Sequence, residues 1–346
     1  MSATVQLSID DAKTLLTDAF SANGVSHGAA LSVSDALVEA EMEGQAGHGF
    51  SRVDDYIAQV RSGKINPAAE PKIQRTAPAA MQVDAEHGFA YPALDAAIEQ
   101  GSALAAEMGV ASVAVAHSHH CGALSVQVRR IAEHGLVGFM VANAPAAIAP
   151  WGASQPLYGT NPIAFAAPCS GRAPLVIDLS LSKVARGKVM HAHKTGQPIP
   201  EGWAVDPAGR PTTDPAKGLA GTMVPIGEAK GTSLALMVEI LAVLMTGSSL
   251  SKDVSSFFTP DGPPPDVGQF LLLMKPPHDV DFAPRLEGLL SLLDGFEGAR
   301  VPGDRREGLR AKAEREGIAV PRAYVDRVIE LASSSDNLLA ARQAAR

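Results

Sequence analysis

The run Gly47-His48-Gly49-Phe50-Ser51-Arg52 sets a titratable ring four residues ahead of a guanidinium, with Tyr56 four further on. If a helix starts near Gly49, the three side chains lie a turn apart on one face. An Arg grips a carboxylate through two parallel hydrogen bonds. An imidazole beside it can exchange a proton with a neighbouring oxygen or nitrogen. The pattern suits a small acid whose carboxylate adjoins a reducible carbonyl or imine. On spacing alone, a surface helix start with an isolated His is the commoner explanation.

A second cluster, His117, His119 and His120, stands where a strand would end. Three imidazoles invite a zinc reading, but His119 and His120 are adjacent and point to opposite faces of an extended chain. Only His117 and His119 share a face, and no further ligand cluster with suitable spacing follows, so no metal is expected. Gly159-Thr160-Asn161-Pro162 is a turn into an apolar strand. Asp178-Leu179-Ser180 ends another strand, a place where α/β proteins hold ligands or where Ser180 or Ser182 simply caps a helix. Gly227-Glu228-Ala229-Lys230-Gly231 opens a helix whose positive end could hold an anion, although GxxxxGK[ST] is absent. Val301-Pro302-Gly303-Asp304-Arg305-Arg306 sets two Arg beside a Gly turn, which fits a phosphate contact or a basic helix start.

The ordered segments DLSLSKVARGK (178–188), IPEGWAVD (199–206) and PTTDP (211–215) occur in a chain without any GxGxxG fingerprint. Together they resemble the type 2 malate/L-lactate dehydrogenases, a family that includes ureidoglycolate, sulfolactate and diketogulonate oxidoreductases and cyclic-imine reductases. The resemblance runs over nearly the whole chain. It implies an α/β, non-Rossmann NAD(P)-binding fold, NAD or NADP as cofactor, a homodimer with the site near its interface, and hydride transfer to or from a small anionic 2-hydroxy or 2-oxo acid. Carried over position by position, it implies His48 as proton donor and Arg52, Tyr56 and Thr160 as substrate contacts. It places His120, Cys121, Gly122, Ala123, Asn143, Asp178, Leu179, Ser180, Lys188, Lys230, Gly231, Gly303, Asp304 and Arg305 along the dinucleotide. His120 is a rival for the acid/base role, because some members use the matching residue. Gly47 departs from the Ser common before that His, and Lys188 stands where cyclic-imine reductases carry a relay Asp. Lys188 agrees instead with the hydroxy-acid members, which weakens a cyclic-imine assignment. Reduction of a cyclic imine is the alternative activity, and a zinc hydrolase using His117 and His119 a remote one.

Residues 8–62 read as helices: Ser8 to Asp11 resembles a capping box, Gly24 ends the first helix, and Ser26 opens a second to about 45. Strands over 81–83, 110–116, 136–142, 163–167, 175–179 and 270–274 alternate with helices over 91–108, 123–134 and 230–245. Tail helices follow over 284–293, 305–316 and 321–332, and the Pro-rich stretch 260–265 reads as an ordered turn. The expected layout is a central mixed-sheet, cofactor-binding lobe (76–279) and a helical substrate and dimer lobe formed by both chain ends, 1–75 with 280–346.

Of the 346 residues, 46% are hydrophobic and 19% charged, enough for a sizeable core. The net charge of −8 with scattered basic residues argues against nucleic acid as a partner. The two cysteines, Cys121 and Cys169, make no disulfide framework. The amino terminus lacks the layout of a signal peptide, and no apolar run reaches the roughly 18 residues a membrane helix needs. A cytoplasmic location is expected.

Overall fold

The computed structural model describes residues 3–333; residues 1–2 and 334–346, part of the expected end lobe, lie outside the described residues. β1 (Thr4–Leu7) leads into α1 (Ile9–Ala22), whose start is fixed by the Ser8 hydroxyl accepting the Asp11 N–H at 3.0 Å. Ser26 likewise starts α2 (His27–Met42). Single 3₁₀ turns at Ala46–His48 and Phe50–Arg52 precede α3 (Val53–Ser62). Next come β2 (Lys72–Ala77), β3 (Ala80–Asp84), α4 (Ala90–Met108), β4 (Val110–Ser118), α5 (Leu124–Glu133) and β5 (Val137–Ala142). β6 (Ile163–Ala167) and β7 (Leu175–Leu179) continue the sheet, and α6 (Arg186–Lys194) follows. A small excursion holds β8 (Ala204–Val205), β9 (Pro211–Thr212), α7 (Pro215–Ala220) and β10 (Thr222–Met223). The chain then forms α8 (Ala229–Glu239), β11 (Val267–Met274), α9 (Phe282–Asp294), α10 (Asp304–Glu316), β12 (Ile318–Pro321) and α11 (Arg322–Ser333).

The main sheet has seven strands in the order β2-β3-β4-β11-β5-β6-β7. Only β3 and β4 pair in parallel within it, so the fold is α/β with a central mixed sheet. β11 reads Val-Gly-Gln-Phe-Leu-Leu-Leu-Met and is buried along nearly its whole length, as a strand covered on both faces must be. Alternate residues serve opposite faces: Leu271 and Leu273 pack toward α4 and α5, while Phe270 joins a second cluster with Val238 and Ala242. A third cluster unites α1, α2 and α3 with α11 and β12, and β1 pairs antiparallel with β12. Thus the two ends of the chain pack on each other, and Asn23 donates to the Leu331 carbonyl at 3.0 Å.

Three features differ from the sequence expectation. The helix expected over 230–245 gives way after Glu239 to a π turn, Ile240–Leu244, where Met245 N–H reaches back to Ile240 at 3.1 Å and the Thr246 hydroxyl takes the Ala242 carbonyl at 2.7 Å. The continuous helix expected from Gly49 starts instead at Val53. β1, β2, β8, β9, β10 and β12 carry no usable pattern: β2 is exposed on both faces, and the others are two to four residues long. Among the described residues no helix is long and apolar enough to cross a membrane.

Candidate active site

Gly49 breaks the helix because the Glu41 carboxylate occupies the space its side chain would need, accepting the Phe50 N–H at 2.8 Å. Burial pushes the Glu41 carboxyl up, and the Phe50 hydrogen bond opposes that shift. The resulting corner turns His48 and Arg52 toward the same space. Arg52 donates through Nε to the Gly47 carbonyl at 2.7 Å, and the Phe258 ring lies under its guanidinium, 4.5 Å from ring centre to carbon. Its Nη1 is shut from solvent, 4.0 Å from Asp55, without a hydrogen-bond partner. His48 Nδ1 is equally sealed and unpartnered. The His48 ring lies almost parallel to His120, with centroids 5.4 Å apart and planes at 22°.

α3 contributes Tyr56 and Gln59 from one face. Tyr56 Oη lies 2.6 Å from His120 Nδ1 and 3.0 Å from Tyr91 Oη, a chain of buried polar groups that fixes the His120 ring. Gln59 donates to the carbonyls of Asp55 and Phe257, so its oxygen accepts from His119 Nε2 at 2.9 Å. His119 therefore carries a proton on Nε2. The opposite-face expectation for His119 and His120 fails, because β4 ends at Ser118 and both rings pack against Tyr56 and Phe257, though on different hydrogen-bond partners. His117 departs: with φ of 48° it swings away and bonds Asp84 at 3.0 Å, beside His87. Among the described residues no group of three His, Cys, Asp or Glu is arranged to hold a metal ion.

All three site imidazoles are held neutral. Burial, then the Arg52 charge, lowers His48 to about 4. Burial, Lys64 and Arg52 lower His119 to about 3. Burial and the charges of Arg52, His48 and His119 lower His120 well below its ordinary range. Burial raises both Tyr56 and Tyr91, so the phenols keep their protons. An unfolded chain takes up His protons near 6.5, whereas the folded one does so only near 4 and 3, so acid between these limits favours unfolding. The melting temperature is expected to hold at pH 7 and above and to fall by roughly 5 °C or more between pH 6.5 and 4.5. His119→Gln should shrink the drop. An unchanged melting temperature over that window contradicts neutral burial of these rings.

The segments expected along a dinucleotide come from distant parts of the sequence and meet at β7. Asp178 accepts the Ser125 N–H at 2.9 Å, tying β7 to the start of α5 and hence to His120, Cys121, Gly122 and Ala123. Burial raises Asp178, against the Ser125 hydrogen bonds and Arg306. Cys121 is pushed up to about 12 by burial, then by Asp178. Arg306 donates to the Val176 carbonyl at 2.9 Å, bringing in Gly303, Asp304 and Arg305. Leu181 accepts from Ile226, just before Lys230 and Gly231, and donates to Thr160 at 2.9 Å. Leu179, Lys188, Lys230 and Arg305 are exposed, and Ser180 bonds Ser182 at 2.7 Å. Ser182 donates to the Val184 carbonyl and caps no helix. Asp304 pairs with Arg172 at 2.9 Å. The Asn143 amide is spent on the backbone of Ser249 and Gly268, so its side chain holds the sheet end together.

Gly303 sits at φ 93°, with the Val176 carbonyl 2.6 Å from where a Cβ would be. Gly303→Ala should therefore displace this loop and weaken dinucleotide binding about tenfold or more. Fluorescence titration with the reduced dinucleotide tests this, and an unchanged Kd removes the loop from the binding site. Gln59, Tyr91, Phe257 and Phe258 were missed from the sequence. Gln59 was findable, three residues after Tyr56 on one helix face; Tyr91, Phe257 and Phe258 reach the site only through tertiary contacts.

A family profile described as malate/L-lactate dehydrogenase matches residues 7–329. The chain is 49% identical to a (2R)-3-sulfolactate dehydrogenase (NADP(+)) of Chromohalobacter salexigens, over 92% of this chain and 96% of that protein. It is 37% identical to a Delta(1)-pyrroline-2-carboxylate/Delta(1)-piperideine-2-carboxylate reductase of Pseudomonas putida, over 95% and 98%. The crystal structure of delta1-piperideine-2-carboxylate reductase from Pseudomonas syringae pvar. tomato aligns with a TM-score of 0.90 at 37% identity, covering 95% of this chain and 100% of that one.

Proposed function

The chain belongs to the malate/L-lactate dehydrogenase family and is an NAD(P)-dependent oxidoreductase, and from that premise we propose that it interconverts a small 2-hydroxy acid and its 2-oxo acid, with 3-sulfolactate and 3-sulfopyruvate as the first candidates and NADP as the preferred cofactor. The observation that carries this reading is the pairing of two unsatisfied groups, the free His48 ring and Arg52 Nη1, beside a His120 already committed to Tyr56. A 2-oxo acid has the groups both lack, a carboxylate for the guanidinium and a carbonyl oxygen for the imidazole. Because both atoms are shut from solvent, it reaches them only with a movement of the side chains that cover them. The convergence at β7 and the close Gly303 turn fit a dinucleotide held by Asp178, Ser180, Lys230, Gly231 and the 303–305 loop. When bound, the nicotinamide supplies or takes the hydride.

In the reductive direction Arg52 holds the carboxylate and Thr160 offers a hydroxyl to it. His48 gives a proton to the carbonyl oxygen as the carbon is reduced, and takes it back in the reverse direction. A bound carboxylate offsets the Arg52 charge that depresses His48, raising the imidazole toward the useful range. If Tyr91 donates to Tyr56 and Tyr56 to Nδ1, His120 keeps its proton on Nε2 and lines the nicotinamide side of the pocket. The mostly antiparallel sheet, with one parallel pair, supports a cofactor site unlike the parallel-strand dinucleotide fold.

Reduction of a cyclic imine is the second reading, favoured by the 37% identical reductases. Gly47 and Lys188, the residues at the Ser and Asp relay positions, weigh against it. A panel of 3-sulfopyruvate, oxaloacetate, pyruvate and the two cyclic imines, each with NADH and NADPH, separates the readings. We expect 3-sulfopyruvate with NADPH to exceed either imine in kcat/KM by about tenfold or more; a leading imine reverses the assignment. We also read residues 1–75 with 280–346 as a substrate and dimer lobe, 76–279 as the cofactor lobe, and the location as cytoplasmic. A homodimer through the end lobe is supported by its exposed apolar residues Leu289, Leu292 and Phe296.

A further inference from the structure

The loop after the π turn, read from the sequence only as an ordered turn, is fastened to α3 at an unusual density. Lys64, 2% exposed, directs its ammonium at the carbonyls of Ser256, Thr259 and Asp261 at 2.7, 3.0 and 2.9 Å. Gln59 adds a bond to the Phe257 carbonyl at 3.0 Å, and Ser62 one to the Pro260 carbonyl at 2.9 Å. Lys64 has no ion-pair partner among the described residues, and burial lowers its ammonium, against Asp261. A buried cation paired only with carbonyls is costly to keep. Here it spends all three protons on ordering one short segment.

That ordering has a consequence at the site. With the carbonyls drawn toward α3, Phe257 packs against His119 and His120, with centroids at 5.6 and 5.0 Å. Phe258 stays half-exposed, with the Arg52 guanidinium carbon over its ring 4.5 Å from the centroid. Burial does not explain a large apolar ring there; attraction between the ring face and the cation does. The Gly47 carbonyl holds Nε and the guanidinium carbon sits over the Phe258 ring, which leaves the Nη1/Nη2 edge, beside Asp55, to meet a carboxylate.

We propose that Phe258, carried on the loop that Lys64 clasps, is a positioning residue that fixes the plane of the Arg52 fork for an in-plane carboxylate. The proposal rests on reading Arg52 as the substrate clamp. A planar guanidinium meets a carboxylate with both hydrogen bonds straight only when the two planes coincide. A guanidinium free to turn must pay that orientation each time the acid binds. The ring thus acts on affinity for the acid rather than on the proton transfer.

Steady-state kinetics of a Phe258 series on the full-length enzyme tests this. Phe258→Leu keeps bulk and loses the aromatic face; the KM for the 2-oxo acid should rise about five- to tenfold, with a much smaller change in kcat. Phe258→Tyr and Phe258→Trp should restore it, and the dinucleotide Kd should not move. Lys64→Met should raise the KM in the same direction, and the Phe258 series decides the matter if that variant fails to fold. A Leu variant with the parental KM, or Tyr and Trp variants as impaired as Leu, overturns the proposal. Arg52→Ala run alongside separates the two levels: if it also leaves the KM unchanged, the clamp itself is wrong; if it raises the KM while Phe258→Leu does not, only the positioning role falls.

Discussion

His48→Ala is expected to lower turnover about 10²–10⁴-fold in both directions while the dinucleotide Kd changes by less than about threefold. Among the three site imidazoles, His48 is the one that no other side chain hydrogen-bonds: His119 is committed to Gln59, and His120 to Tyr56. Its pH signature has a definite sign. With a free-enzyme pKa of about 4, His48 is mostly unprotonated at neutral pH. Reduction needs the protonated ring, so its kcat/KM should decline as pH rises above that value, whereas oxidation, which needs the free base, should stay level. The Ala variant should lose the declining limb. Intact turnover in His48→Ala transfers the acid/base role to His120, whose Tyr56 and Tyr91 chain would then carry the proton.

Arg52→Ala should raise the KM for the acid about a hundredfold, with a smaller effect on kcat, since a bidentate charge-assisted pair is lost. Arg52→Lys should recover little, because a compact ammonium cannot offer two parallel donors. A second effect is opposite in sign: without the guanidinium, one cause of the low His48 pKa is gone and the ring should titrate higher. Steady-state kinetics read the first effect and an NMR titration of the ring the second. An unaltered KM excludes Arg52 as the anchor for the carboxylate.

How much of this was legible beforehand depended on how local the signal was. The Ser8 and Ser26 helix starts, the strand–helix alternation from β3 to β5 and the apolar strand at 270–274 are carried by neighbours in sequence, and the structure has them, the last extended to Val267–Met274. His48 and Arg52 could be picked as a pair because they are four residues apart, but the reason given, one continuous helix, was not the one that operates. A break at Gly49, made by the distant Glu41 carboxylate, brings them round. Likewise a three-His run says nothing of the partners that separate it, since Asp84, Gln59 and Tyr56 reach those rings from other elements. The clasp of Lys64 on the loop at 256–261 joins positions nearly two hundred residues apart, beyond the reach of any periodic pattern.

The most direct test of the account is a crystal structure of the protein with NADP and an unreactive 2-oxo acid analogue. The account predicts the carboxylate on the Nη1/Nη2 edge of Arg52, the analogue's carbonyl oxygen within hydrogen-bond reach of His48, and the nicotinamide ring against His120. A dinucleotide bound away from β7, or an acid seated remote from Arg52 and His48, contradicts it.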